Sequence, residues 1–181
     1  MMGRGAAAPA VRDWGGSVAA NAQITTAEQA ASDRLVLAFG WLQGAANRLE
    51  YILGRALMEE CGISHLMFEV LLILGRAGGP GMSMGAIAQE RVLTTGGVTR
   101  LVDRMEAAGL VSREENPGDR RGRLVRLTRL GEQTVVRAAR LHADNVQRFL
   151  LDPLPAEHRE QFTRDLRTVS LAARDALPRL R

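Results

Sequence analysis

The chain has no lysine: all 24 of its basic residues are arginine. A guanidinium presents a rigid fork that fits phosphates and guanine edges, which suits contact with DNA. The same composition, rich in alanine and glycine, also fits a GC-rich coding sequence, so the missing lysine excludes nothing by itself. The single cysteine, Cys61, excludes a disulfide framework and fits a cytoplasmic setting. No apolar run approaches the roughly 20 residues a membrane span needs, and the N-terminus has no signal-peptide core, so neither a membrane partner nor export is expected. Nucleophile-elbow, phosphate-loop, HExxH and paired-cysteine patterns are missing too, so the sequence supports neither an enzyme nor a bound cofactor.

What is present has a clear centre. The 181 residues, with a net charge of +4, suffice for one good core with a dimerisation element and suit an anionic partner. Between Arg91 and Arg126 eight arginines face five carboxylates, so this segment carries most of the excess. Within it Val98, Leu101, Val102 and Met105 recur at i, i+3, i+4 and i+7, the stripe of a short amphipathic helix stopped by Gly109. Thr95, Gly96, Thr99, Arg100, Asp103 and Arg104 fall on the opposite face. Two alternating runs, Leu110–Glu114 and Arg123–Leu127, flank Asn116-Pro117-Gly118-Asp119 and predict a β-hairpin with a loop longer than two residues, tipped by Arg120 and Arg121. A helix with a basic outer face followed by a basic hairpin is the layout of a winged helix-turn-helix, one element for each groove of DNA.

The flanks read as helices. Met1 to about Ala27 has no apolar period and is expected to be a flexible arm, from which Arg4 and Arg12 could brush phosphates. Leu35, Phe39, Leu42, Ala46, Leu49, Leu53 and Leu57 predict one long helix from Glu28 to Glu60, and Gly40, Gly44 and Gly54 on it suit close packing against a second subunit. Ser64 caps a helix to Arg76 with Phe68, Leu71, Leu72 and Gly75 inward. After the Gly78–Gly81 break, Met82–Met84 is a brief extended segment, and a helix follows to Arg91 with Ile87 and Ala88 inward. A turn at 92–94 leads to the outward-basic helix, capped by Thr94 or Thr95. Beyond the hairpin, a helix from Thr128 to Leu150 would bury Val135, Val136, Ala139, Val146 and Phe149. Pro153 and Pro155 break it, and a last helix, Ala156–Ala176, carries Phe162, Leu166, Val169 and Ala173 on one side. The expected fold is mainly α with a small β-hairpin. Residues 1–27 form an arm, 62–127 a winged helix-turn-helix, and 28–61 with 128–181 a helical dimerisation region.

Val98-Thr99-Arg100-Leu101-Val102-Asp103-Arg104-Met105-Glu106, then Gly109-Leu110-Val111, Arg113, Asp119-Arg120-Arg121, Leu127-Thr128 and Gly131, together resemble the MarR family of bacterial transcription regulators in order and spacing. More loosely, the likeness runs from Ser32 to Ala173. It implies a cytoplasmic homodimer that binds a pseudo-palindromic DNA operator, acts as a repressor, and releases DNA when a small molecule, an oxidant or a metal binds. Early residues of the second helix of such a motif meet base edges, which assigns Thr95, Gly96, Thr99 and Arg100 to the major groove. Gly96 and Gly97 either admit a close backbone approach to DNA at the positive helix end or are merely permissive. Arg104 is a phosphate contact or a partner for Asp119. The resemblance gives Asp119 a bracing role and sends Arg121 into the minor groove, with Arg120 beside it, while Ser83, Arg91 and Arg123 are further phosphate candidates.

The resemblance also implies an effector site between the dimer helices and the reading head. Trp41, Arg48, His65 and Phe68 are its candidates for a small aromatic or phenolic ligand. Cys61 is either a redox sensor or an inert thiol, and the inert reading is preferred because no cation cluster adjoins it. Cys61 and His65 are too few for a metal site, with His142 and His158 expected on distant helices. The rival functions are an accessory or architectural DNA-binding protein without an effector, and a protein-interaction adaptor built on a winged helix.

Overall fold

The computed structural model describes residues 24–91, 95–116 and 119–176; the side chains of residues 91, 95 and 119–121 fall outside that description. The expected arm (apart from its last few residues), the 92–94 turn, the cap at Thr94 or Thr95 and Pro117-Gly118 also lie outside it. Two compact units divide the chain, residues 1–46 and 47–181.

In the first unit, helix α1 (Ala27–Ser32) is opened by a capping box, the Gln29 amide donating to Thr26 Oγ1 and the Thr26 amide to Gln29 Oε1. The single long helix expected here is interrupted at Asp33. Its backbone is extended, and Oδ1 accepts from the Leu35 and Val36 amides at 3.0 Å each, which starts helix α2 (Arg34–Cys61) afresh. No described residue of the unit is buried.

The second unit holds the core. Here α2 buries Leu53, Leu57 and Cys61 and stops at Gly62, whose φ of 69° is the left-handed conformation that glycine adopts without strain. Ser64 Oγ accepts from the Met67 amide and opens α3 (His65–Ala77). Phe68, Val70, Leu71, Ile73 and Leu74 of α3 are buried, so its inner face is broader than the spacing suggested, and Gly75 is exposed. Gly54, expected to admit a partner subunit, faces α3 of its own chain, with His65 Cβ at 3.6 Å from where its own Cβ would stand.

Strand β1 (Met82–Ser83) leads into α4 (Met84–Arg91), capped by Ser83 Oγ, which accepts from the Ala86 amide. Next come α5 (Thr95–Ala107), β2 (Val111–Asn116) and β3 (Asp119–Leu127). The hairpin is part of a three-stranded antiparallel sheet ordered β1-β3-β2, with Met82 opposite Val125 and Val111 opposite Leu127. Asn116 pairs with Asp119 and Glu115 with Arg123. The register therefore shifts between Glu115 and Asn116, with the extra residues on β3.

Thr128 joins this sheet to the last helices. Its hydroxyl donates to Gly109 O at 2.6 Å and accepts from the Gly131 amide at 3.0 Å, opening α6 (Arg129–Val146). Gly131 is required here, since a Cβ would stand 2.0 Å from Leu110 O. The buried face of α6 runs through Gly131, Thr134 and Ala138, while Val136, expected inside, is exposed. A π-helical turn (Gln147–Leu151) carries Phe149, half-buried, and α7 (Ala156–Ala176) buries nothing fully; Val169 is exposed on it. Among the described residues no helix is long and apolar enough to cross a membrane.

Candidate nucleic-acid interface

Helix α5 has two faces of opposite chemistry. Val98, Leu101, Val102 and Met105 are all but inaccessible and pack with Phe68, Leu71, Ile87 and Val125. At about 1.5–3 kcal/mol for each fully buried side chain of this size, the inner face alone fixes the helix on the head. That anchoring turns Gly96, Gly97, Thr99, Arg100, Asp103 and Arg104 outward, and all six are exposed. Among the described residues, a Cβ on Gly96 would meet nothing within 4 Å. Arg100 and Arg104 have no ion pair or side-chain hydrogen bond with other described residues.

The hairpin is tied to α5 by Arg113, which sequence reasoning named only as part of a motif. Its Nη2 donates to Asp103 Oδ1 at 2.5 Å, its Nη1 to Glu106 Oε2, and its backbone amide to Glu106 Oε1 at 3.2 Å. Burial lowers the pKa of the guanidinium, but the bonds to Asp103 and Glu106 outweigh this and raise it, so it stays charged. The clue was available in the sequence: Asp103 and Glu106 stand three residues apart on one helix face, just before a strand. Arg123 is exposed on β3, and Arg126 pairs with Glu114 at 3.3 Å. Ser83 Oγ is engaged in capping α4, which leaves only its proton for a phosphate. The side chains of Thr95, Asp119, Arg120, Arg121 and Arg91 lie outside the described residues, and with them the expected Arg104–Asp119 pair.

The four effector candidates divide between the two units, and in the second His65 and Phe68 lie 6.5 Å apart between ring centroids. Trp41 belongs to the first unit and is 66% exposed. Phe68 is 2% exposed and belongs to the core, so it is not available to a ligand. His65 lines an open groove of about 500 Å³ with Asn47, Glu50, Tyr51, Gly54, Arg55, Met58 and Ser64; Arg48 does not. Most of these residues form a stripe on α2 at three- and four-residue steps, a period that could have been read from the sequence.

His142, expected far from His65, instead lies 5.6 Å from it between ring centroids and 5.0 Å from Phe68. Its Nδ1 is buried without a hydrogen-bond partner among the described residues, and burial, then the neighbouring His65, lowers its pKa. Cys61 is buried, as the inert reading requires. Among the described residues no group of three or more metal-ligating side chains converges.

The chain is similar in sequence and fold to known proteins. Residues 62–122 match the family model described as MarR family. The transcriptional regulator HosA of Escherichia coli O111:H- is 36% identical over 83 residues, which are 46% of this chain and 61% of that protein. The chain thus spans about three-fifths of the length of that relative. Among solved structures, Sco3205, a MarR family transcriptional regulator from Streptomyces coelicolor in complex with DNA, is 29% identical. It aligns with a TM-score of 0.66 over 74% of this chain and 84% of its own. AbsC, a MarR family transcriptional regulator of the same organism, is 27% identical with a TM-score of 0.67, over 77% and 93% of the two chains. All three are described as transcriptional regulators.

Proposed function

We propose that this chain is a MarR-family, sequence-specific DNA-binding transcriptional regulator, a reading supported by the family match over residues 62–122 and by the similar solved structures. The observation that carries this reading is α5: its inner face is wholly buried, and its outer face offers Arg100 and Arg104, unpaired among the described residues, to solvent. Residues 62–127 would be the reading head. Thr95, Gly96, Thr99 and Arg100 would meet the major groove, and Asp119, Arg120, Arg121 and Arg123 would place the wing in the minor groove. Arg104 and Ser83 would hold phosphates.

The helices before and after the head, residues 28–61 and 128–181, would form a homodimer on a pseudo-palindromic operator. Leu35, Val36, Phe39 and Leu42, exposed in the single chain, support this because a large uncovered apolar face marks an interaction surface. The proposed mode is cytoplasmic repression, with release by a small aromatic or phenolic ligand in the α2–α3 groove beside His65.

The test is selection of bound duplexes from a random pool at physiological salt. A two-fold symmetric site with half-sites about one helical turn apart is expected. Recovery without sequence preference would favour an architectural protein, and recovery of no DNA an adaptor.

A further inference from the structure

We propose that Arg113 is a positioning residue for DNA recognition: it sets the angle between α5 and the wing and mutes the two carboxylates on the DNA-facing side of α5. The inference rests on the DNA-reading role proposed above. Asp103 and Glu106 stand on the same outer stretch of helix as Arg100 and Arg104. Left alone, they would repel the phosphates that those arginines attract. Arg113 takes one carboxylate with each terminal nitrogen and Glu106 again with its backbone amide. Its side chain is only 21% exposed, so solvent screens these contacts less than it would a surface pair.

Both ends of the guanidinium are thus engaged within the protein, so the residue acts through α5 and not on DNA itself. The residue that holds the carboxylates is also part of the sheet. Arg113 lies opposite Val125 in the register of β3, the strand that carries Arg120, Arg121 and Arg123. One side chain therefore links the helix meant for one groove to the strand meant for the other. A planar fork is needed for this, because a lysine ammonium cannot meet two carboxylates with two parallel arms.

The experiment compares the full-length protein with Arg113→Met, Arg113→Lys, the Asp103→Asn/Glu106→Gln pair, and that pair combined with Arg113→Met. Two quantities are read: affinity for the selected duplex across a salt series, and amide hydrogen exchange of residues 95–107 in the free protein. Arg113→Met is expected to weaken binding about tenfold or more, with the salt slope unchanged and exchange in α5 faster. Arg113→Lys recovers part of the affinity. Adding the carboxylate replacements to Arg113→Met also recovers part, without slowing exchange. The Asp103→Asn/Glu106→Gln protein keeps Arg113, so it reports on the same clamp should Arg113→Met fail to fold; faster exchange in α5 is expected there as well.

Affinity within twofold of the parent in Arg113→Met overturns the proposal. So does a salt slope lower by about one, which marks a direct phosphate contact. If selection yields no duplex, the DNA reading has failed, and exchange still decides the clamp: unchanged protection of α5 in both variants overturns it.

Discussion

The two units of this chain are similarly supplied with apolar side chains and use them differently. From Asn47 onward, α3, α4, α5 and the sheet interlock around Phe68, Leu71, Leu101 and Val125, all nearly inaccessible. In the described part of the first unit, Leu35, Val36, Phe39, Trp41 and Leu42 are all about half or more exposed, and nothing is buried. A helix of this composition is stabilised mainly by packing its apolar face against a partner. The contrast is in line with the proposed dimer: the second unit closes its core within one chain, while the described part of the first leaves its apolar side chains uncovered.

The largest effect should come from breaking the complete side. Phe68→Ala removes a core ring that also supports His142, and is expected to cost about 3–5 kcal/mol in chemical unfolding. The complementary change, Phe39→Asp, should leave the unfolding transition of the head in place while light scattering shows a fall from dimer to monomer mass. If Phe39→Asp instead unfolded the head, the contrast between the units would be lost. Thr128→Ala removes the cap of α6 and its bond to Gly109, and should cost about 1 kcal/mol, visible as a lower denaturation midpoint.

The smallest effect is pH-dependent. The pKa of His142 is lowered in the folded protein, so the unfolded chain binds the extra proton first. The stability this group permits is complete above the unfolded imidazole value, about 6.5. It is lost as pH falls from there through the lower folded value. Denaturation midpoints should therefore drop over that interval, and His142→Gln should flatten the dependence.

How much of this was legible beforehand depended on the range of each interaction. The stripe Val98, Leu101, Val102, Met105 and the stop at Gly109 are local in sequence, and the structure matches them residue by residue. The break at Asp33 escaped because a carboxylate that caps the following helix can also end the preceding one, and apolar spacing runs through it undisturbed. The outward position of Val136 escaped because Gly131, pressed on the Leu110 carbonyl, fixes the rotation of α6, a contact between distant segments. Non-local pairing likewise explains the meeting of His65 with His142, the third strand, and the double grip of Arg113. At the proposed interface, spacing on α5 gave which residues face out; the bracing of the wing depended on a contact across the turn.

The central claim is that the outer face of α5 reads base sequence. Its most direct test is the ratio of affinity for the selected duplex to that for a scrambled one, measured for the parent protein and for Arg100→Ala at the same salt. Loss of about 1–3 kcal/mol of discrimination is predicted, the worth of one bidentate contact to a base. An unchanged ratio, with both affinities lowered alike, would reduce Arg100 to a phosphate contact and contradict the account.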